Sequence, residues 1–104
     1  MLDIETWLGT TGLKVSEERF IKPPPLPYAI FTDSPDVSGA DFLNCIADRS
    51  ISIELYSLKV DHDSELLIEN LLNEKAIDFK KDRVWIDTQM MFMSVYDFNL
   101  VEKF

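Results

Sequence analysis

The stretch from Arg49 to Asn73 constrains the fold more than any other part of the chain. In Ser50-Ile51-Ser52-Ile53-Glu54-Leu55-Tyr56 the apolar residues Ile51, Ile53 and Leu55 fall on one side and Ser50, Ser52, Glu54 and Tyr56 on the other. That two-residue period belongs to a strand with one buried face. Asp61-His62-Asp63-Ser64 then supplies helix-capping residues. Leu67, Ile68, Leu71 and Leu72 follow at helical spacing, with Glu65, Glu69, Asn70 and Asn73 between them. A half-buried strand that runs within a few residues into an amphipathic helix predicts a sheet with helices packed against it.

The flanking sequence extends this layout. Leu2 to Thr10 reads as a short helix whose apolar members are Leu2, Ile4, Trp7 and Leu8, with Gly9 and Gly12 at its end. Leu13–Ser16 reads as a short extended piece. Lys22-Pro23-Pro24-Pro25-Leu26-Pro27 cannot be helical, because consecutive prolines fix φ and remove donors. Residues 22–27 are therefore expected to form a stiff extended connector into a strand over Tyr28–Thr32. Asp33 to Gly39 is dense in turn formers and predicts an exposed loop. Phe42–Ala47 suggests a brief strand before a turn at Asp48, and the second helix is expected to end near Glu74 or Lys75.

Phe79 to Asp87 predicts a hairpin with its turn near Lys81-Asp82. Met90 to Leu100 predicts a long last strand. One face of it carries Met90, Phe92, Tyr96, Phe98 and Leu100, interrupted by Ser94; the other carries Met91, Met93 and Val95 before Asp97 and Asn99. A strand apolar on both faces is central beneath two layers or covered by another chain. Taken together the order predicts one α+β domain over residues 1–104, an antiparallel sheet of four to five strands packed on one face by two helices.

The search for chemistry removes most function classes. The formal net charge is −9, from 19 acidic and 10 basic residues. Phosphate binding and attachment to anionic lipid both need surplus Lys and Arg, so neither a nucleic-acid grip nor a membrane surface is expected. No apolar run approaches the about 18 residues of a membrane span. Cys45 is the lone cysteine and Met1-Leu2-Asp3-Ile4-Glu5 is no secretory leader, which predicts a cytoplasmic chain. Asp61, Asp63 and Glu65 mimic the opening of a calcium loop, but Leu66 stands where glycine is required and Leu72 where the bidentate acid is required. The acids are better explained as a cap meeting the positive end of the helix. Nothing places Cys45 beside His62, the single histidine, and three glycines provide no phosphate loop. The expectation is a non-enzymatic protein without cofactor or metal.

What remains is surface. Methionines fill irregular cores and also serve adaptable contacts. The two-faced last strand and the aromatics near it make Tyr56, Trp85, Met91, Met93 and Val95 the candidate subunit or partner interface.

Element order and junctions also carry a resemblance. Tyr28-Ala29-Ile30-Phe31, a loop with Ser38-Gly39-Ala40-Asp41, Ile51 to Ser57, Asp61 with the helix Glu65–Asn73, and a strand pair ending in Tyr96-Asp97-Phe98 together resemble the small tail terminator (tail-completion) proteins of bacteriophages and prophages. The likeness runs from about Leu2 to Leu100. It implies a homo-oligomeric, hexameric ring at the head-proximal end of the tail tube. Such a ring would stop tube growth and receive the head, with the tail tube protein and a head-completion protein as partners. It implies assembly in the host bacterial cytoplasm and residence in the virion tail. An acidic ring would repel passing DNA rather than hold it, with its charges toward lumen or solvent. A head–tail connector or neck role is the neighbouring possibility, and an acidic cytosolic adaptor or inhibitor of a basic partner a third.

Overall fold

The computed structural model describes residues 2–38 and 46–103. In chain order these form α1 (Ile4–Gly9), β1 (Lys14–Glu17), β2 (Tyr28–Ser38), β3 (Ile46–Ser57), α2 (His62–Glu74), β4 (Lys80–Ile86), a 3-10 turn (Asp87–Gln89) and β5 (Met91–Lys103). The strands make one five-stranded sheet in the order β1-β2-β3-β5-β4. The architecture is α+β as expected, and the sheet is mostly antiparallel. The exception is β1, which pairs parallel to β2 with Lys14 opposite Tyr28 and Glu17 opposite Phe31. Residues 18–27 leave one end of β1 and return to the other, so β2 starts in the same direction.

Both helices begin as their sequences dictate. Asp3 caps α1 by accepting from the Thr6 amide and hydroxyl at 3.3 and 3.0 Å. Asp61 caps α2, its two carboxylate oxygens accepting from the Ser64 amide at 3.0 Å and the Ser64 hydroxyl at 2.8 Å. Helix α2 stops where Ala76 turns left-handed, at φ 52°. The Ala76 amide then donates to the Asn73 carbonyl and the Ile77 amide to the Leu72 carbonyl, a Schellman close.

The core lies between the helices and one face of the sheet. Ile4 and Leu8 of α1 and Ile68 and Leu72 of α2 pack on Ala29, Phe31, Ile51, Ile53, Leu55, Tyr96 and Phe98. The alternation read in β3 is therefore real: Ile51, Ile53 and Leu55 are all buried. The same register sends Ser94, Tyr96 and Phe98 of β5 to the helices, and Met91, Met93 and Val95 to the far face. Edge-to-face aromatic contacts tie the layers, Trp7 to Phe98 at 6.4 Å and Phe79 to Tyr96 at 5.6 Å.

Three expectations are corrected. Asp33 to Ser38 is strand rather than loop, paired residue by residue with β3. Pro35 is tolerated there because β1 covers β2 only as far as Phe31, and among the described residues no other strand pairs with that side of β2. Likewise Asp48 sits inside β3 rather than in a turn. Residues 80–86 form one strand, and the chain reverses at the 3-10 turn closed by Met90 at φ 51°, not at Lys81-Asp82. Cys45 and residues 39–44 lie outside the described residues.

Candidate assembly surface

The helices cover one face of the sheet, and four of the five candidate interface residues lie on the other. Tyr56 pairs with Met93, Glu54 with Val95 and Ile86 with Met91, so Tyr56, Met91, Met93 and Val95 share one side of β3 and β5. Each is half-buried. Trp85 is not among them. Alternation puts it on the helix side, where its ring leans on Phe92 at 4.8 Å and its indole N–H donates to Asp87 Oδ1 at 3.4 Å. Val84 and Ile86, which fall in the expected hairpin, are the β4 residues beside Met93 and Met91 on the far face.

That face is not bare throughout. Glu18 turns left-handed, φ 62°, and its amide donates to the Phe31 carbonyl at 2.7 Å. The chain is thereby folded back, and Phe20 lies edge-on to Tyr28 at 5.2 Å, with Tyr28 against Tyr56 at 5.3 Å. Tyr28 and Ile30 are buried as a result. The apolar strip left uncovered runs over Tyr56, Met93, Val95, Val84 and Ile86. It is bordered by Glu54, Asp82, Asp97 and Lys80. Burial, with the charge of Glu54 adding to it, pushes the Tyr56 hydroxyl up to about 12, so it stays a donor, to Glu54 Oε1 at 3.1 Å.

Two buried ionic centres brace the sheet from the helix side. In the first, Glu65 of α2 is 1% exposed. It accepts from Arg83 Nε at 3.0 Å and Nη2 at 2.6 Å, from the Ser94 hydroxyl at 2.5 Å and from Lys81 at 3.3 Å. Burial alone would raise its pKa; the donors, Arg83 foremost, outweigh that and hold it at about 2. Glu69, one turn on, accepts from Lys81 at 3.0 Å and the Tyr96 hydroxyl at 2.9 Å. Sequence reasoning placed Glu65 on the polar side of α2. Its spacing from Ile68 and Leu72 was the available signal, since i, i+3 and i+7 share a stripe.

The second centre is Arg49, 3% exposed. Its guanidinium donates to Asp33, to Glu102 at 2.8 Å and to the Leu2 carbonyl at 2.8 Å. Hydrogen bonds from Arg49 to Asp33 keep the guanidinium pKa above its ordinary value against the cost of burial.

Neither centre is arranged for turnover. Glu65 is ionised throughout the neutral range and saturated with donors, so it is a poor base and has no proton to give. Asp61 spends its carboxylate on Ser64. No group of three or more His, Cys, Asp or Glu side chains among the described residues could hold a metal. An open cleft of about 570 Å³ lies where β3 meets α2, lined by Leu26, Pro27, Leu58, Val60, His62 and Asp63 among others. His62 is largely solvent-facing there, with Nδ1 3.5 Å from Glu65. No described helix is long and apolar enough to cross a membrane.

No protein-family model and no curated protein matches the chain. Among solved structures, it is similar to a chain of the virion of a native gene transfer agent (GTA) particle, at 14% identity and a TM-score of 0.59. The match covers 93% of this chain and 84% of that one. At this identity the likeness is one of fold, and it extends over nearly the whole of both chains.

Proposed function

We propose that the chain is a structural protein of a phage-like particle, of the tail terminator type, which caps the tail tube and forms the surface on which the head docks. The observation that carries this reading is the near full-length fold likeness to a chain of a gene transfer agent virion. Three features of the molecule support it. One sheet face carries an apolar strip that the helices leave uncovered. The titratable clusters are saturated braces rather than reactive groups. A net charge of −9 suits a protein lining a channel through which DNA passes without being held.

In this reading copies of the chain form a ring, with the tail tube protein and a head-completion protein as partners. Assembly takes place in the host bacterial cytoplasm and the product resides in the virion tail. Tyr56, Met91, Met93 and Val95 contribute contact surface.

The test is co-production with the tail tube protein of the same particle, followed by negative-stain microscopy. Tubes of uniform length bearing a terminal ring are expected, against open-ended growth without the chain. Unchecked tube growth and absence of the chain from purified particles would overturn the reading. Its presence in tailless heads would move it to the neck. Met93→Asp should abolish capping while leaving the far-ultraviolet circular dichroism and melting of the free chain unchanged, because the side chain lies outside the core. Loss of the folded chain in that variant would withdraw Met93 from the interface.

A further inference from the structure

We propose that copies of the chain join edge to edge, the outer edge of β4 in one copy pairing antiparallel with the outer edge of β1 in the next. This inference rests on the ring reading and says which surfaces close it. It starts from the strand order, which leaves β1 and β4 as the two edges of the sheet. No described strand pairs with either outer side, so each presents backbone donors and acceptors, except that the Glu17 carbonyl at the end of β1 already accepts from the Arg19 amide at 2.7 Å. The two edges differ in sequence and length, Lys14–Glu17 against Lys80–Ile86. Joining unlike edges is head-to-tail association, which closes into a ring when the rotation allows it.

Charge and register select this pairing. Strand β4 carries Lys80, Lys81 and Arg83 against one acid, Asp82, in a chain whose net charge is −9. Edge lysines deter indiscriminate pairing. A β4–β4 joint would bring three cations of one copy to three of the other, whereas an edge bearing an acid is accepted. The ladders place Glu17, Phe31, Ile53, Tyr96 and Lys81 on one row across the sheet. They place Ser16 on the row of Asp82 and Lys14 on the row of Val84. β1 runs antiparallel to β4 within a copy, so a neighbour continuing these rows adds its β1 antiparallel.

In that register Glu17 of the neighbour stands opposite Lys81 and diagonal to Arg83, whose side chains keep 30% and 33% exposure. On the far face, Lys14 of the neighbour lies diagonal to Asp82. Opposite charges at such cross-strand positions stabilise a joint and like charges weaken it. The continued sheet also keeps all helices on one side of the ring and all uncovered strips on the other.

The test is disulfide trapping of the full chain in a Cys45→Ser background, alone at high concentration and on tail tubes. Ser16→Cys combined with Asp82→Cys places the thiols directly across the joint. Non-reducing gels should show a ladder from dimer upward, and each single-cysteine variant should stay monomeric. Dimers from Asp82→Cys alone would mean that β4 meets β4, and would overturn the proposal. So would a monomeric double variant whose circular dichroism and melting match the parent. In the cysteine-free chain Glu17→Lys should weaken self-association about five-fold by light scattering; an unchanged association would count against the register. Tube capping by the parent separates the two readings. Capped tubes without a ladder would discard the edge joint and keep the terminator role. A ladder without capping would keep the joint and discard that role.

Discussion

Arg49 and Glu65 are buried to nearly the same extent, 3% and 1% exposed, and each is surrounded by opposite charge. They differ in what their partners can do if the central group is lost. Glu65 is met by Lys81 and Arg83, long side chains on an edge strand, 30% and 33% exposed. Either can swing its charged head to water while its methylenes stay on the sheet. Arg49 is met by Asp33 and Glu102, shorter carboxylates only 16% and 20% exposed. It also satisfies the Leu2 carbonyl, while the Leu2 amide donates to Glu102 at 3.2 Å. Arg49 thus ties together β2, β3, β5 and the start of the chain, and its partners have less room to escape. The strength of a buried charge in this fold depends less on its own burial than on the exit open to its counter-ions.

The largest effect should therefore follow Arg49→Met. It withdraws the guanidinium that Asp33 and Glu102 both accept from and orphans a backbone carbonyl, so a loss of about 4 kcal/mol is expected in urea unfolding. Glu65→Ala should cost less, about 2.5 kcal/mol, because the two cations relax outward and the loss is mainly that of packing and of the Ser94 partner. If Glu65→Ala proves the more damaging of the two, the exposure of the counter-ions is not what sets the cost.

Acid separates the centres further. The carboxyl of Glu65 sits at about 2 in the folded chain against an ordinary value of 4.5. A depressed folded pKa contributes stability that is fully present above the unfolded value and is lost as pH falls from 4.5 toward 2. The Arg49 guanidinium does not titrate in that window. Stability measured from pH 6 down to about pH 2 should fall less steeply in Glu65→Gln than in the parent. Equal slopes would mean that other carboxyls carry the acid response.

The same contrast explains what could be read from the chain. Ile51, Ile53, Leu55, Ile68 and Leu72 were legible because their partners are repeated locally, at strand or helix period. Glu65 was not: Arg83 and Ser94 lie 18 and 29 residues away, and a charge on an apolar stripe looks like surface until its partner is known. The same distant pairing hid β4, where Lys81-Asp82 reads locally as a turn although Lys81 and its neighbour Arg83 bind α2. Ser94 obscured which side of β5 was core, since a serine breaking an apolar face suggests water rather than a buried carboxylate. The extension of β2 through Pro35 depended on where β1 stops, a fact of topology. Alternation alone groups Met91, Met93 and Val95 on one face of β5, whereas Tyr56 joins them through its pairing with Met93. Trp85 is exposed on the opposite, helix side of the sheet, a placement that depends on the register of β4 with β5.

The smallest effect probes the solvent end of the Glu65 network. Tyr96 is fully buried, and burial together with its bond to Glu69 pushes its hydroxyl well above the ordinary value, so it acts only as a donor. Its acceptor is different in kind: the Glu69 side chain is 26% exposed and keeps Lys81 at 3.0 Å. Tyr96→Phe preserves the ring packed against Phe79 and removes only the hydroxyl. Glu69 can then turn to water, so the cost should be about 1 kcal/mol, the net worth of one hydrogen bond. Ser94→Ala removes a donor from Glu65, which has no such exit, and should cost about twice as much. Melting curves of the two variants provide a comparison within a single network. Were Tyr96→Phe the costlier, access of the acceptor to water would not be what grades these interactions.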